Sequence, residues 1–142
     1  MRELTREESE AILEEQGFGM LALSTDGQPY ALPMSFGFDG TDLFFQMNAT
    51  GRKNEIIAEN PATSILFVRI DPAAGTSRSV IVEGRIERVP EEATSRAFEA
   101  LADNASFGTD LQVWGIPVEE ADLRLYRVDV DSISGRIFGA DT

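Results

Sequence analysis

The sequence predicts a mainly β domain, a six- to seven-stranded antiparallel barrel with two or three helices, and three features carry that expectation. Short segments of alternating apolar and polar residues recur along the chain. Turn dipeptides such as Asp26-Gly27 and Asp39-Gly40 separate them at hairpin distance. Helical periodicity is confined to a few stretches that do not alternate regularly with strands, which favours a small closed barrel over a doubly wound parallel sheet. All 142 residues are expected to form one domain, large enough to bury roughly two-thirds of its unfolded surface.

Thr5-Arg6-Glu7-Glu8 is a capping-box pattern, so a helix should run from there to about Gln16 and end at Gly17. Residues 18–24 read as a strand and 25–28 as a hairpin turn. Residues 29–38 form a second strand, whose prolines require an edge, a bulge or an interrupted ladder. The phenylalanine-rich stretch 41–47 gives a third strand. Residues 48–51 make a short loop with two side chains suited to N-capping, Asn48 and Thr50. Residues 52–60 then form a short helix stopped by Asn60-Pro61, and 62–70 a fourth strand.

A loop at 71–76 leads into a long fifth strand, 77–89, in which Val80, Val82, Gly84 and Ile86 alternate with charged groups. Pro90-Glu91-Glu92 opens a helix that carries Ala93, Ala97, Phe98 and Leu101 at helical spacing and should end near Asn104. Residues 106–120, which contain the single tryptophan, Trp114, are the least regular stretch. Residues 123–133 alternate around Leu123, Leu125, Val128 and Val130 as a final main strand, followed by a tail at 134–138 able to pair once more.

Composition excludes much chemistry. With no cysteine and no histidine, disulfides, thiolate nucleophiles, Cys/His zinc sites and Ser-His-Asp triads are ruled out, and no metal site is expected. Twenty-five carboxylates against twelve cations give a net charge of -13, which argues against nucleic acid or an anionic membrane as partner. No apolar run approaches the roughly 20 residues a membrane span needs, and the acidic N-terminus does not read as a secretory signal. A cytoplasmic protein is the expectation. Eleven arginines, a single lysine and the acidic surface resemble proteins adapted to concentrated salt, although an ordinary acidic protein has the same balance. At about 1 M salt the Debye length is roughly 3 Å, so net charge would hardly repel an anionic ligand while short contacts survive.

That single lysine, Lys53, follows Arg52 at the start of the expected second helix. Adjacent cations and unpaired N–H groups at a helix start suit a phosphate. A solvated surface pair is the other reading of the same residues.

At Pro33-Met34-Ser35-Phe36, Phe44-Phe45-Gln46 and Gly51-Arg52-Lys53, followed by Glu59-Asn60-Pro61 and Val80-Ile81-Val82-Glu83-Gly84, the chain resembles the pyridoxamine 5′-phosphate oxidase-related, FMN-binding split-barrel proteins. The likeness covers roughly residues 8–135, and the order and spacing of all five segments agree. It implies an antiparallel split barrel and a homodimer with FMN in each of two interface clefts. It also implies that Arg52 and Lys53 grip the FMN phosphate with Thr50 close by. Pro33, Met34, Ser35 and Phe36 would lie along the flavin ring, joined by Gln46, Met47 and Asn48. Ser79 matches a polar contact from the long fifth strand, with Arg78 beside it. Trp114 would cover the neighbouring subunit's flavin or anchor the dimer. For Phe36, Phe44 and Phe45, plain barrel core is the competing reading.

The departures matter. Where the vitamin oxidases of the family carry a phosphate-binding arginine on the second strand, this chain has Ala31. Their C-terminal histidine and arginine residues are not reproduced either, since Arg124, Arg127 and Arg136 are spaced differently. Vitamin B6 oxidation is therefore not expected. The resemblance leaves an FMN-dependent oxidoreductase acting with a small-molecule electron donor or acceptor. A deazaflavin-dependent reductase on the same barrel and a non-enzymatic flavin-binding protein remain the alternatives.

Overall fold

The computed structural model describes residues 1–104 and 123–139. Eight antiparallel strands make up the sheet: β1 (Arg2–Glu3), β2 (Phe18–Thr25), β3 (Gln28–Ser35), β4 (Gly37–Phe38), β5 (Leu43–Asn48), β6 (Ala62–Asp71), β7 (Thr76–Arg88) and β8 (Leu123–Gly139). Three helices accompany them: α1 (Arg6–Gln16), α2 (Arg52–Glu59) and α3 (Thr94–Asn104), the last preceded by a 3-10 turn at Glu91–Ala93. Strand order is β3-β2-β6-β7-β8-β5-β4, with β1 added to the far end of β8. The terminal strands of that path, β3 and β4, are consecutive in sequence. The chain therefore steps across the gap itself at Phe36, and the hydrogen-bonded sheet curls round without closing. The barrel is split, not closed.

Local chemistry explains most elements. Thr5 and Glu8 exchange both bonds of the capping box, at 3.1 and 2.9 Å, and Gly17 ends α1 with φ 62°. Asp26 and Gly27 both have positive φ, 50° and 74°, the hand that matches the twist of a two-residue hairpin. The prolines of β3 sit on an edge strand, where a missing N–H is tolerated.

Two expected elements differ. Residues 29–38 are not one strand: β3 stops at Ser35, Phe36 donates its N–H to the Gly17 carbonyl at 3.0 Å, and Gly37 and Phe38 pair with β5 instead. Residues 123–138 are not a strand plus a tail but one strand of 17 residues, spanning β7, β5 and β1. Its apolar residues do not share a face either. Tyr126 and Val128 enter the main core, whereas Leu125 packs on the outside with Phe44, beneath α3.

The barrel interior is filled by Leu21, Phe36, Phe45, Ile65, Phe67, Val80 and Val82, all at most 1% exposed, with Ile12 and Leu13 of α1 packed into the same core. Phe36 meets Phe45 edge-on at 5.5 Å and Phe67 at 5.7 Å. Outside β5, α3 lays Ala97 and Ala100 on Phe44, and Arg96 ties it to Asp39 (2.9 Å) and Asp42 (3.2 Å). Among the described residues, no helix is long and apolar enough to cross a membrane.

Candidate functional site

The break at Phe36 parts two strand edges. β4 pairs with β5 through Gly37–Phe44 and Phe38–Leu43. Continued in that register, Ser35 would face Gln46 and Pro33 would face Asn48. The ladder stops instead, because the Phe36 ring drops into the core and its N–H is taken by Gly17. From there, among the described residues, β3 pairs with β2 alone, while β5 beyond Phe44 keeps only β8. The result, among the described residues, is a pair of strand edges with no ladder between them, and such edges offer main-chain amides to an extended or planar ligand.

Strand alternation decides which expected residues can reach it. Pro33 is exposed and Ser35 half-buried on the outer face of β3, while Met34 turns inward onto the core. Gln46 and Asn48 are half-buried on the outer face of β5, whereas Met47 is 4% exposed in the core. Phe36 is fully buried. Four of the seven side chains expected along a ligand ring thus point outward (Pro33, Ser35, Gln46, Asn48), and Met34, Phe36 and Met47 are core residues whose contribution there is limited to backbone.

Immediately after β5, the chain turns through Thr50 and Gly51 into α2. Gly51, not Asn48 or Thr50, is the N-cap residue, with φ 116°, and among the described residues no side-chain cap bond is made to the helix. The uncapped first turn carries Arg52, which is exposed, and Lys53, which is half-buried. Burial pushes the Lys53 ammonium below its ordinary pKa. A desolvated cation beside uncapped amides is a donor set that fits a phosphomonoester: lysine as point charge, arginine as a two-pronged fork.

Two residues near this turn were missed by the sequence reading. Asn54 donates from Nδ2 to the Asn48 carbonyl at 2.5 Å and accepts at Oδ1 from the Tyr126 hydroxyl at 2.7 Å. Tyr126, 6% exposed, stacks on Phe45 at 5.5 Å and carries the Arg88 guanidinium 5.7 Å above its ring. A buried hydroxyl on an inward position of β8 is the signal that marks this pair, since such a group must find a partner.

Ser79 and Arg78 lie elsewhere. Ser79 is on the outer face of β7 between Val68 and Arg136, two strands from β5 and three from β3. Arg78 points the other way, with Val80 and Val82, opposite Arg69, and its Nε is buried without a hydrogen-bond partner. Within one chain, neither lies at the unpaired edges of β3 and β5. Trp114 lies outside the described residues. A hollow of about 400 Å³ bordered by Ser64, Glu83, Arg85 and Asp131, and one of about 360 Å³ at the 71–76 hairpin, contain none of the expected residues. Among the described residues, no group of three or more His, Cys, Asp or Glu could hold a metal ion.

A family model described as pyridoxamine 5′-phosphate oxidase matches residues 5–137. The chain belongs to that family. It is 30% identical over 113 residues to a pyridoxine/pyridoxamine 5′-phosphate oxidase of Salinibacter ruber (strain DSM 13855 / M31), an alignment covering 78% of this chain and 49% of the relative. The chain thus spans about half the length of that curated relative. Two solved structures share the fold. A FAD-binding protein from Mesorhizobium loti superposes with a TM-score of 0.80 at 24% identity, covering 97% of this chain and 98% of the other. The FAD binding protein from Mycobacterium smegmatis gives 0.72 at 20% identity, with 98% and 99% covered.

Proposed function

We propose that the chain is an FMN-binding oxidoreductase that works as a homodimer in the cytoplasm of a salt-adapted cell. The observation that carries the reading is the cationic start of α2 directly after β5, next to the β5 edge that does not pair with β3, in a member of this family. Arg52 and Lys53 hold the phosphate, with Thr50 beside it. Main-chain groups of β3 and β5 and the outward side chains of Pro33, Ser35, Gln46 and Asn48 hold the ring system. When bound, FMN supplies the electron-transfer chemistry, and the protein sets access and orientation. No side chain is assigned as acid or base, which suits a chain without histidine.

The dimer is supported by the outer sheet face. Pro33, Met20, Leu66, Ile81 and Ser134 are consecutive cross-strand partners from β3 to β8, and Met20, Leu66 and Ile81 are about 40% exposed. Val68 at 41% and Ile70 at 69% extend this apolar surface along β6. An apolar face running across four strands, β3, β2, β6 and β7, suits a second copy of the chain. A dimer also gives Ser79, Arg78 and Trp114 a route to a flavin held mainly by the partner subunit.

A second reading, FAD in place of FMN, is favoured by the description of both structural neighbours as FAD-binding. The absorption spectrum of the purified protein and the mass of the released cofactor test both. Flavin maxima with a released mass of FMN support the first reading, and the mass of FAD supports the second. A deazaflavin would point to the reductase alternative. A colourless protein that takes up no added flavin would sink all three. Ala31 and the lack of histidine predict no oxidation of pyridoxamine 5′-phosphate, measurable as absent product with cofactor bound.

A further inference from the structure

We propose that Asn54 and Tyr126 are positioning residues that set the geometry of the phosphate-binding turn without touching the phosphate. The inference rests on the flavin-phosphate reading above. Between Asn48, the last residue of β5, and Asn54, on the third position of α2, the chain holds Ala49, Thr50, Gly51, Arg52 and Lys53. These five residues include both cations of the proposed site. Among the described residues no side chain caps the helix, so the turn lacks the usual tie at its outer end. Its tie is internal. The Asn54 amide closes the turn by donating to the Asn48 carbonyl (2.5 Å), and its oxygen is held by the Tyr126 hydroxyl (2.7 Å).

The orientation of that amide is dictated by chemistry. A main-chain carbonyl only accepts, so Nδ2 must face Asn48, which leaves Oδ1 for the hydroxyl proton. Tyr126 in turn cannot drift. It is buried, its ring is parallel to within 17° of Phe45, and Phe45 is itself locked edge-on against Phe36. A chain of fixed contacts therefore runs from the barrel core to the turn: Phe36, Phe45, Tyr126, Asn54, Asn48. Phe36 is also the residue at which β3 leaves the ladder. The same aromatic cluster thus places the strand split and the cationic turn, the two halves of the proposed site.

The consequence is separable by ligand. Riboflavin has the ring but no phosphate, so it should not feel a displaced cationic turn. Equilibrium titration of the protein with FMN and with riboflavin, at high salt, compares wild type with Tyr126→Phe and Asn54→Ala. Tyr126→Phe keeps the stack on Phe45 and removes one hydrogen bond, so FMN should bind about three- to tenfold more weakly while riboflavin changes by less than twofold. Asn54→Ala removes both bonds, and the FMN loss should exceed that of Tyr126→Phe. Unchanged FMN affinity in both variants, or a parallel loss for both flavins, overturns the positioning role while leaving the phosphate site standing. A wild-type protein that binds neither flavin, or binds riboflavin as tightly as FMN, overturns the phosphate reading and this inference with it.

Discussion

Replacing Lys53 by alanine should weaken FMN binding by about 1.5–3 kcal/mol, the range for a hydrogen bond to a charged group, which is roughly a 10- to 150-fold rise in Kd. The structure places the expected loss in the upper part of that range. Lys53 is half-buried and burial disfavours its charged form, so water screens a phosphate contact there less than at an exposed cation. Arg52 is exposed, and Arg52→Ala should cost less than Lys53→Ala. The pH dependence follows with a definite sign. An incoming dianion favours the charged amine and raises its lowered pKa, so binding takes up a proton in the window between the two values. FMN affinity should therefore decline as pH climbs towards 10.5, the ordinary lysine value, and Lys53→Arg should remove that decline while keeping most of the affinity. The assay is quenching of FMN fluorescence at about 1 M salt, where the Debye length of roughly 3 Å suppresses the effect of net charge but not of contact. A Kd for Lys53→Ala within twofold of wild type would refute the assignment of the phosphate to this turn.

Three further outcomes follow from the fold. A Cβ on Gly37 would lie 2.4 Å from the main-chain carbon and oxygen of Ala100 in α3, so Gly37→Ala should destabilise the protein by about 2–3 kcal/mol in urea unfolding; a change under about 0.5 kcal/mol would mean α3 is not packed there. Arg2, and after it the Thr5 N–H, hold the Glu8 carboxyl down to about 2 from 4.5, so its contribution to stability is present above pH 4.5 and lost as pH falls towards 2. Glu8→Gln should flatten that part of the acid-unfolding profile, and parallel profiles for the two proteins would contradict the linkage. Leu66→Asp, at the centre of the exposed apolar row on β2, β6 and β7, should shift sedimentation from dimer to monomer; an undiminished dimer would place the interface elsewhere.

Most of the fold was legible because its signals are local. The capping box at Thr5 and Glu8, the left-handed Gly17 and the Asp26-Gly27 turn each act over four residues or fewer. The antiparallel split barrel followed from pattern and resemblance together, whereas the prolines of β3 allowed an edge, a bulge or an interrupted ladder, of which the structure has the edge. What escaped was decided by contacts distant in sequence. Nothing within residues 29–38 announces that Phe36 will give its N–H to Gly17, or that α3 will press on Gly37. The two-residue pairing of β1 with β8 is equally a tertiary event.

The candidate site was legible by residue type and only partly by direction. Arg52 and Lys53 stand where a helix start was expected. Met34 and Met47 share parity with core neighbours Leu32 and Phe45, so their inward direction could have been taken from alternation, as could the opposite directions of Arg78 and Ser79. Asn54 could not, since its role depends on a tyrosine 72 positions away.

The most direct measurement is a crystal structure of the protein grown with FMN. The expected structure is a dimer joined through the outer faces of β2, β6 and β7, with the phosphate within hydrogen-bond distance of Lys53 Nζ and of the first N–H groups of α2, and the ring system between β3 and β5. A phosphate bound away from residues 50–53, or a flavin lying away from the edges of β3 and β5, would contradict it.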